Sequence, residues 1–129
     1  MSHFTYMKTR FQNLFYLEKA LNKLNIAYTQ QKSSNQDLDL SQNNLVISQS
    51  NGYNVEFCWN GKEYELMVDL SFWDQPYPVQ SFLDKVAQNY ANESVIGESQ
   101  KIGFQVANSQ KNSDGSQTLI LERWNSNSY

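Results

Sequence analysis

One histidine and one cysteine limit the chemistry open to this 129-residue chain. His3 could move a proton near neutral pH, and Cys58 could serve as a nucleophile or redox thiol. Each has an ordinary structural alternative. The structural reading is the favoured one: His3 as a packed or solvated strand end, and Cys58, between Phe57 and Trp59, as an inert half-buried thiol inside a strand. A single cysteine excludes an intrachain disulfide framework and a Cys-rich metal site. There is no Gly-rich phosphate loop, no G-x-S-x-G and no paired histidines, so standard catalytic sets are missing and no cofactor or metal is expected.

Carboxylates and aromatics offer a second kind of chemistry, recognition. A two-residue turn at Asn60-Gly61 pairs Phe57 with Tyr64 and Val55 with Leu66, and sets Trp59 opposite Lys62. The apolar residues then share one face. The same register sends Glu56, Glu63 and Glu65 to the other face, with Glu56 opposite Glu65 and Cys58 opposite Glu63. Such an acidic strip can meet a basic partner, a hard cation, or simply solvent. Asp69 and Asp74 lie farther along, with no pattern that brings them to the strip. Trp73 and Tyr77, with Pro76 and Pro78, crowd the next link. Loop aromatics act as binding anchors or as lids over the end of a core.

The elements that must position these groups follow from periodicity. His3 to Met7 reads as a strand, and Thr9 and Gln12 have the spacing of a capping box. A helix then carries the stripe Leu14, Leu17, Leu21 and Leu24, with Phe11 in front and Asn25 as a left-handed stop. Ile26 to Gln30 reads as a strand, and Lys32 to Asn44, rich in Ser, Asn, Gln and Asp, as a flexible polar loop. Leu45 to Ile47, Val55 to Trp59 and Tyr64 to Leu70 form a meander, with turns at Asn51-Gly52 and Asn60-Gly61.

Pro78 suits the first turn of a second helix, whose stripe Val79, Phe82, Leu83, Val86, Ala87 and Tyr90 ends near Asn92. Ile102, Phe104 and Val106 alternate as a strand, residues 108–116 make a polar turn, and Leu119 to Trp124 gives the last strand. The order β-α-β-β-β-β-α-β-β predicts an α+β, two-layer fold with a mostly antiparallel sheet and both helices on one face. At this length and 40% hydrophobic content, residues 1–129 form a single domain.

Asn, Ser and Gln make up a third of the chain and the formal net charge is −3, so no basic footprint for nucleic acid exists. Apolar runs are too short for membrane insertion, and no secretory signal is expected at the N-terminus.

Ser2-His3-Phe4, Thr9, the helix from Leu17 to Leu24, Glu56-Phe57-Cys58-Trp59, Val68-Asp69-Leu70, Phe82, Gln88-Asn89-Tyr90-Ala91 and Lys101-Ile102-Gly103-Phe104 occur in that order. Together they resemble the Ycf35 family, a domain of unknown function in cyanobacteria and algal plastids, over roughly Met1 to Ala107. The resemblance implies a setting rather than a mechanism: the plastid stroma for a plastid-encoded chain, or otherwise the cyanobacterial cytoplasm. The functional expectation is a non-catalytic adaptor, or assembly or regulatory factor, that binds a protein partner through Trp73 and Tyr77 or through Glu56, Glu63 and Glu65. The alternative is a small enzyme using His3, Cys58 or a carboxylate cluster.

Overall fold

The chain lays its first strand along one edge of a sheet, crosses to the far edge through a helix, and returns by a meander. The computed structural model describes residues 4–32 and 43–123. Its elements are β1 (Phe4–Phe11), α1 (Leu14–Lys23), β2 (Thr29–Gln31), β3 (Asn44–Ile47), β4 (Val55–Trp59), β5 (Tyr64–Asp69), a 3-10 turn (Leu70–Phe72), α2 (Val79–Lys101), β6 (Phe104–Lys111) and β7 (Gln117–Arg123). The first five strands form an antiparallel sheet in the order β1-β5-β4-β3-β2, while β6 and β7 form a separate two-stranded ribbon. The expected α+β class and element order hold, with the strands divided between two sheets. No described helix is long and apolar enough to cross a membrane. His3, Trp124 and most of the expected polar loop lie outside the described residues, and Asn44 belongs to β3.

The capping box at Thr9 does not form, because β1 claims those residues. Phe11 pairs with Tyr64 across the sheet and is buried as a strand residue. Thr9 Oγ1 donates to the Tyr64 carbonyl at 2.6 Å and accepts from Phe11 N at 3.1 Å, bridging a bulge between Lys8 and Phe11. The cap of α1 is instead Asn13, whose Oδ1 accepts from Tyr16 N at 3.1 Å. Asn25 stops α1 as expected, with φ of 59°.

The Asn60-Gly61 hairpin forms with a longer loop than two residues. Trp59 pairs with Tyr64 and Phe57 with Leu66, leaving Asn60 to Glu63 in the turn. Asn60 Oδ1 accepts from the amides of Lys62 at 2.9 Å and Glu63 at 2.8 Å, an Asx turn that enlarges the loop, while Gly61 supplies φ of 97°. Each β4 residue therefore meets a partner two positions beyond the expected one. Side chains alternate with period two, so the faces survive: Val55, Phe57, Tyr64 and Leu66 are all buried. Asn51-Gly52 is likewise not a tight hairpin, since the connection spans residues 48–54, with Gly52 N bonded to the Gln49 carbonyl at 3.0 Å.

Pro78 sits at the cap of α2, one position ahead of its first turn, and the helix runs on to Lys101 rather than stopping near Asn92. Its apolar stripe ends at Tyr90, but no breaker follows. The second half is held by α1 and by the ribbon, with Glu93 and Ser99 buried. Gly97 marks a close approach of the two helices, since a Cβ there would lie 2.4 Å from the Tyr16 hydroxyl. Residues 108–111, expected within a turn, extend β6 because each pairs with β7.

Leu17 and Leu21 of α1 and Phe82 and Val86 of α2 join Leu45, Val55, Phe57, Leu66 and Val68 in one core cluster. Both helices thus cover the same sheet face. Each such side chain contributes roughly 1.5–3 kcal/mol on leaving water.

Candidate functional site: the open face of the sheet

Pairing parity decides which side chains stand on the face opposite the helices. One row crosses the whole sheet: Tyr6 beside Met67, then Glu56, Val46 and Thr29. The next row sets Lys8 and Cys58 on either side of Glu65, and at the other end Phe4 faces Asp69. Among the described residues no helix covers this face. Phe4 is 53% and Tyr6 58% exposed. Glu56, Cys58, Glu65 and Met67 are half-buried, and Val46 is buried.

The acidic strip is thereby rearranged from its expected form. Glu56 lies opposite Met67 rather than Glu65, and Cys58 lies opposite Glu65 rather than Glu63. The longer turn moves the carboxylates onto a diagonal, and the separate β1–β5 register sets Lys8 across from Glu65. Glu63 leaves the ladder altogether. Its Oε2 accepts from Arg10 N at 2.9 Å, holding the β1 bulge where Arg10 adopts φ of 64°. Asp69 caps the 3-10 turn through Ser71 N at 3.0 Å, and Asp74 accepts from Ser50 Oγ at 2.6 Å. Both are therefore occupied in corners of the fold.

Cys58 sits at the centre of this face in surroundings that disfavour a thiolate. Burial first, then the charges of Glu56 and Glu65, push its thiol up to about 11. Nucleophilic and redox cysteines have the opposite environment. Among the described residues no group of three or more His, Cys, Asp and Glu side chains is placed to hold a metal ion.

The aromatic link lies elsewhere, at the end of the core. Trp73 and Tyr77 are half-buried against the core cluster, and both rings meet Phe82, with centroids at 5.2 and 6.4 Å. The Trp73 indole N–H donates to the Tyr77 carbonyl at 2.7 Å. Beneath them lies Gln49, which no sequence pattern singles out in a chain so rich in glutamine. Its buried amide donates to the carbonyls of Tyr53 at 2.7 Å and Phe72 at 3.0 Å, and accepts from Asp74 N at 2.8 Å. This one side chain ties the β3–β4 connection to the link, and Tyr53 stacks on Phe72 at 3.8 Å above it. Tyr6, Phe4, Lys8 and Met67 were also missed. Their alternation is visible in the sequence, but their membership in the face depends on the pairing of β1 with β5.

A family model described as "Protein of unknown function (DUF1257)" matches residues 20–120, beyond the Ala107 limit of the resemblance read from the sequence. The chain is 56% identical over 127 residues to "Uncharacterized protein ycf35" of Trieres chinensis, covering 94% of this chain and 97% of that protein. Proteins of the same description from Pyropia yezoensis and Cyanophora paradoxa are 39% and 34% identical, over 97% and 96% of this chain and 99% and 98% of theirs. No solved structure matches. With the family model spanning most of the chain and the algal relatives aligned over nearly their whole length, this chain belongs to the Ycf35 family, the DUF1257 domain.

Proposed function

We propose that this chain is a non-catalytic adaptor, or assembly or regulatory factor, that docks a basic protein partner on the open face of its five-stranded sheet. The plastid stroma is the proposed compartment, in keeping with its algal Ycf35 relatives. The carrying observation is the juxtaposition, on a face that no described helix covers, of exposed Phe4 and Tyr6 with half-buried Glu56 and Glu65. Aromatics supply contact area, and the carboxylates select a basic partner and steer its approach. The half-buried Trp73 and Tyr77, already packed on Phe82, suit the lid role better than the anchor role. The enzyme reading draws no support from Cys58, whose thiol is held protonated.

Immobilised full-length chain challenged with plastid extract tests this reading. Wild-type protein retains a basic partner that elutes as ionic strength rises. Tyr6→Ala and the double charge reversal of Glu56 and Glu65 to Lys each lose it, while Trp73→Ala keeps it. Retention of every bound protein by the folded face variants would sink the proposal. Loss on Trp73→Ala alone moves the site to the aromatic link.

A further inference from the structure

The five-stranded sheet ends in an edge with which no described strand pairs. β1 has β5 on one side only, so half of its backbone donors and acceptors face outward and form a template for a further strand. Which half follows from the ladder. Thr9 Oγ1 reaches the Tyr64 carbonyl from β1, while the Glu63 carbonyl accepts from Asn60 N at 3.0 Å on the β4 side. Backbone direction alternates along a strand, so Tyr64, Leu66 and Val68 turn toward β1, the last two bonding to their partners Met7 and Thr5. The amides and carbonyls of Phe4, Tyr6 and Lys8 are left for the free edge.

Two observations say what such a strand carries. β1 holds the exposed cations Lys8 and Arg10 and no carboxylate. Although Lys8 stands across from Glu65, among the described residues neither cation has an ion-pair partner. Behind the edge, β1 and α2 leave a hollow of about 200 Å³ lined by Met7, Phe11, Leu83 and Ala87, with Gln80 and Asp84 beside them. That is below the roughly 300–1,000 Å³ of small-molecule sites and suits a single side chain. Asp84, which accepts from Gln80 Nε2 at 3.1 Å, disfavours a second carboxylate on this side. Side chains of a strand alternate between faces, so an added strand satisfies both sides when its acidic residues lie beside Lys8 and its apolar ones enter the hollow. A second copy of β1 would bring the same cations and no carboxylate to meet them. We propose that the free edge of β1 takes up, as a further antiparallel strand, an extended segment of a partner protein in which acidic and small apolar residues alternate. Main-chain hydrogen bonds supply the affinity, and the two faces supply the selectivity. This edge stands independently of docking on the open face, whose carboxylates select a partner of the opposite charge.

The test is a backbone-amide NMR titration of the full chain with a short peptide alternating glutamate and valine, acetylated and amidated at its ends. Saturable shifts centred on Phe4 to Lys8 and on Leu83 and Ala87 are expected. In the antiparallel register the glutamates lie opposite Phe4, Tyr6 and Lys8, and their amides bond to β1. N-methylation of the glutamates should therefore weaken binding about tenfold or more, and N-methylation of the valines far less. Lysine in place of glutamate should weaken it about three- to tenfold, and Lys8→Glu should reverse that preference. Ala87→Trp, a change at an exposed residue, fills the hollow and should weaken the glutamate peptide while leaving the spectrum folded. Four results overturn the proposal: no saturable shift up to about 10 mM peptide, equal binding of the lysine peptide, indifference to glutamate N-methylation, or self-association through β1 without peptide, which gives the edge to a second copy. None of them bears on the open face, which an acidic peptide does not probe.

Discussion

The β4–β5 and β6–β7 hairpins use the same local grammar and have very different standing in the molecule. Each alternates apolar and polar residues, and each turns at an Asn or Asp followed by Gly. Yet β4 and β5 supply Val55, Phe57, Tyr64, Leu66 and Val68 to the buried core, whereas no described residue of β6 or β7 is buried. The first hairpin lies between other strands and under two helices. The ribbon leans on the second half of α2 and leaves Ile120 54% exposed. Alternation and turn chemistry specify a hairpin, and only burial against other elements turns it into a source of stability.

That comparison can be broken at its strongest point by truncating Phe57. Phe57→Ala should destabilise the fold by about 3–5 kcal/mol in a denaturant titration, while Leu121→Ala in the ribbon should cost about 1 kcal/mol. Equal losses would mean that the ribbon is as much a part of the core as β4.

Thiol labelling sharpens the contrast. At pH 8 Cys58 should react on the order of a hundredfold more slowly than a cysteine placed on the ribbon by Ser109→Cys, because so little of it is thiolate. Replacing Glu56 and Glu65 with Gln should speed Cys58 by removing the two charges that raise its pKa. The same shift has a signed effect on stability. The unfolded thiol ionises near its ordinary 9.0 and the folded one near about 11, so this contribution is intact below pH 9 and is lost as pH rises between those values. Stability that rises over that interval in wild type relative to Cys58→Ser would contradict the assignment.

Gly97 tests the joint between the two regions. An added methyl must displace the Tyr16 hydroxyl, which donates to Glu98, so Gly97→Ala should cost about 1–3 kcal/mol despite its gain in helix propensity. A stabilised variant would show that Tyr16 swings aside freely. The smallest effect is expected at Ile120, where Ile120→Thr on the exposed ribbon face should change stability by no more than about 0.5 kcal/mol.

Most of the fold was readable because it rests on parity and period. The faces of β4 and β5 survived a turn that was longer than expected, since a two-residue shift returns each side chain to its own side. What escaped were features set by distant partners. Thr9 looks like a helix cap until the Tyr64 carbonyl accepts a hydrogen bond from its hydroxyl, and α2 looks finished at Asn92 until α1 and the ribbon supply contacts for the rest. Of the candidate site, Glu56 and Glu65 were legible and their neighbours were not. Tyr6, Lys8 and Met67 join them only through pairings between residues far apart in the chain. Gln49 carries no local signal, because its role comes from burial and from hydrogen bonds to Tyr53, Phe72 and Asp74.

The placement of β1 has a consequence for the protein's synthesis. Phe4 finds its partner only when Asp69 has been made, and until then β1 has no sheet to join. At elongation rates of about 5–20 residues per second, that interval lasts on the order of 3–13 s. Throughout it, Phe4, Tyr6, Phe11 and the amides of β1 stand open to any passing strand. Nascent Ycf35 chains should therefore depend on chaperone occupancy most strongly before residue 69 emerges and little afterwards, with β1 closing a sheet whose other four strands are already in place.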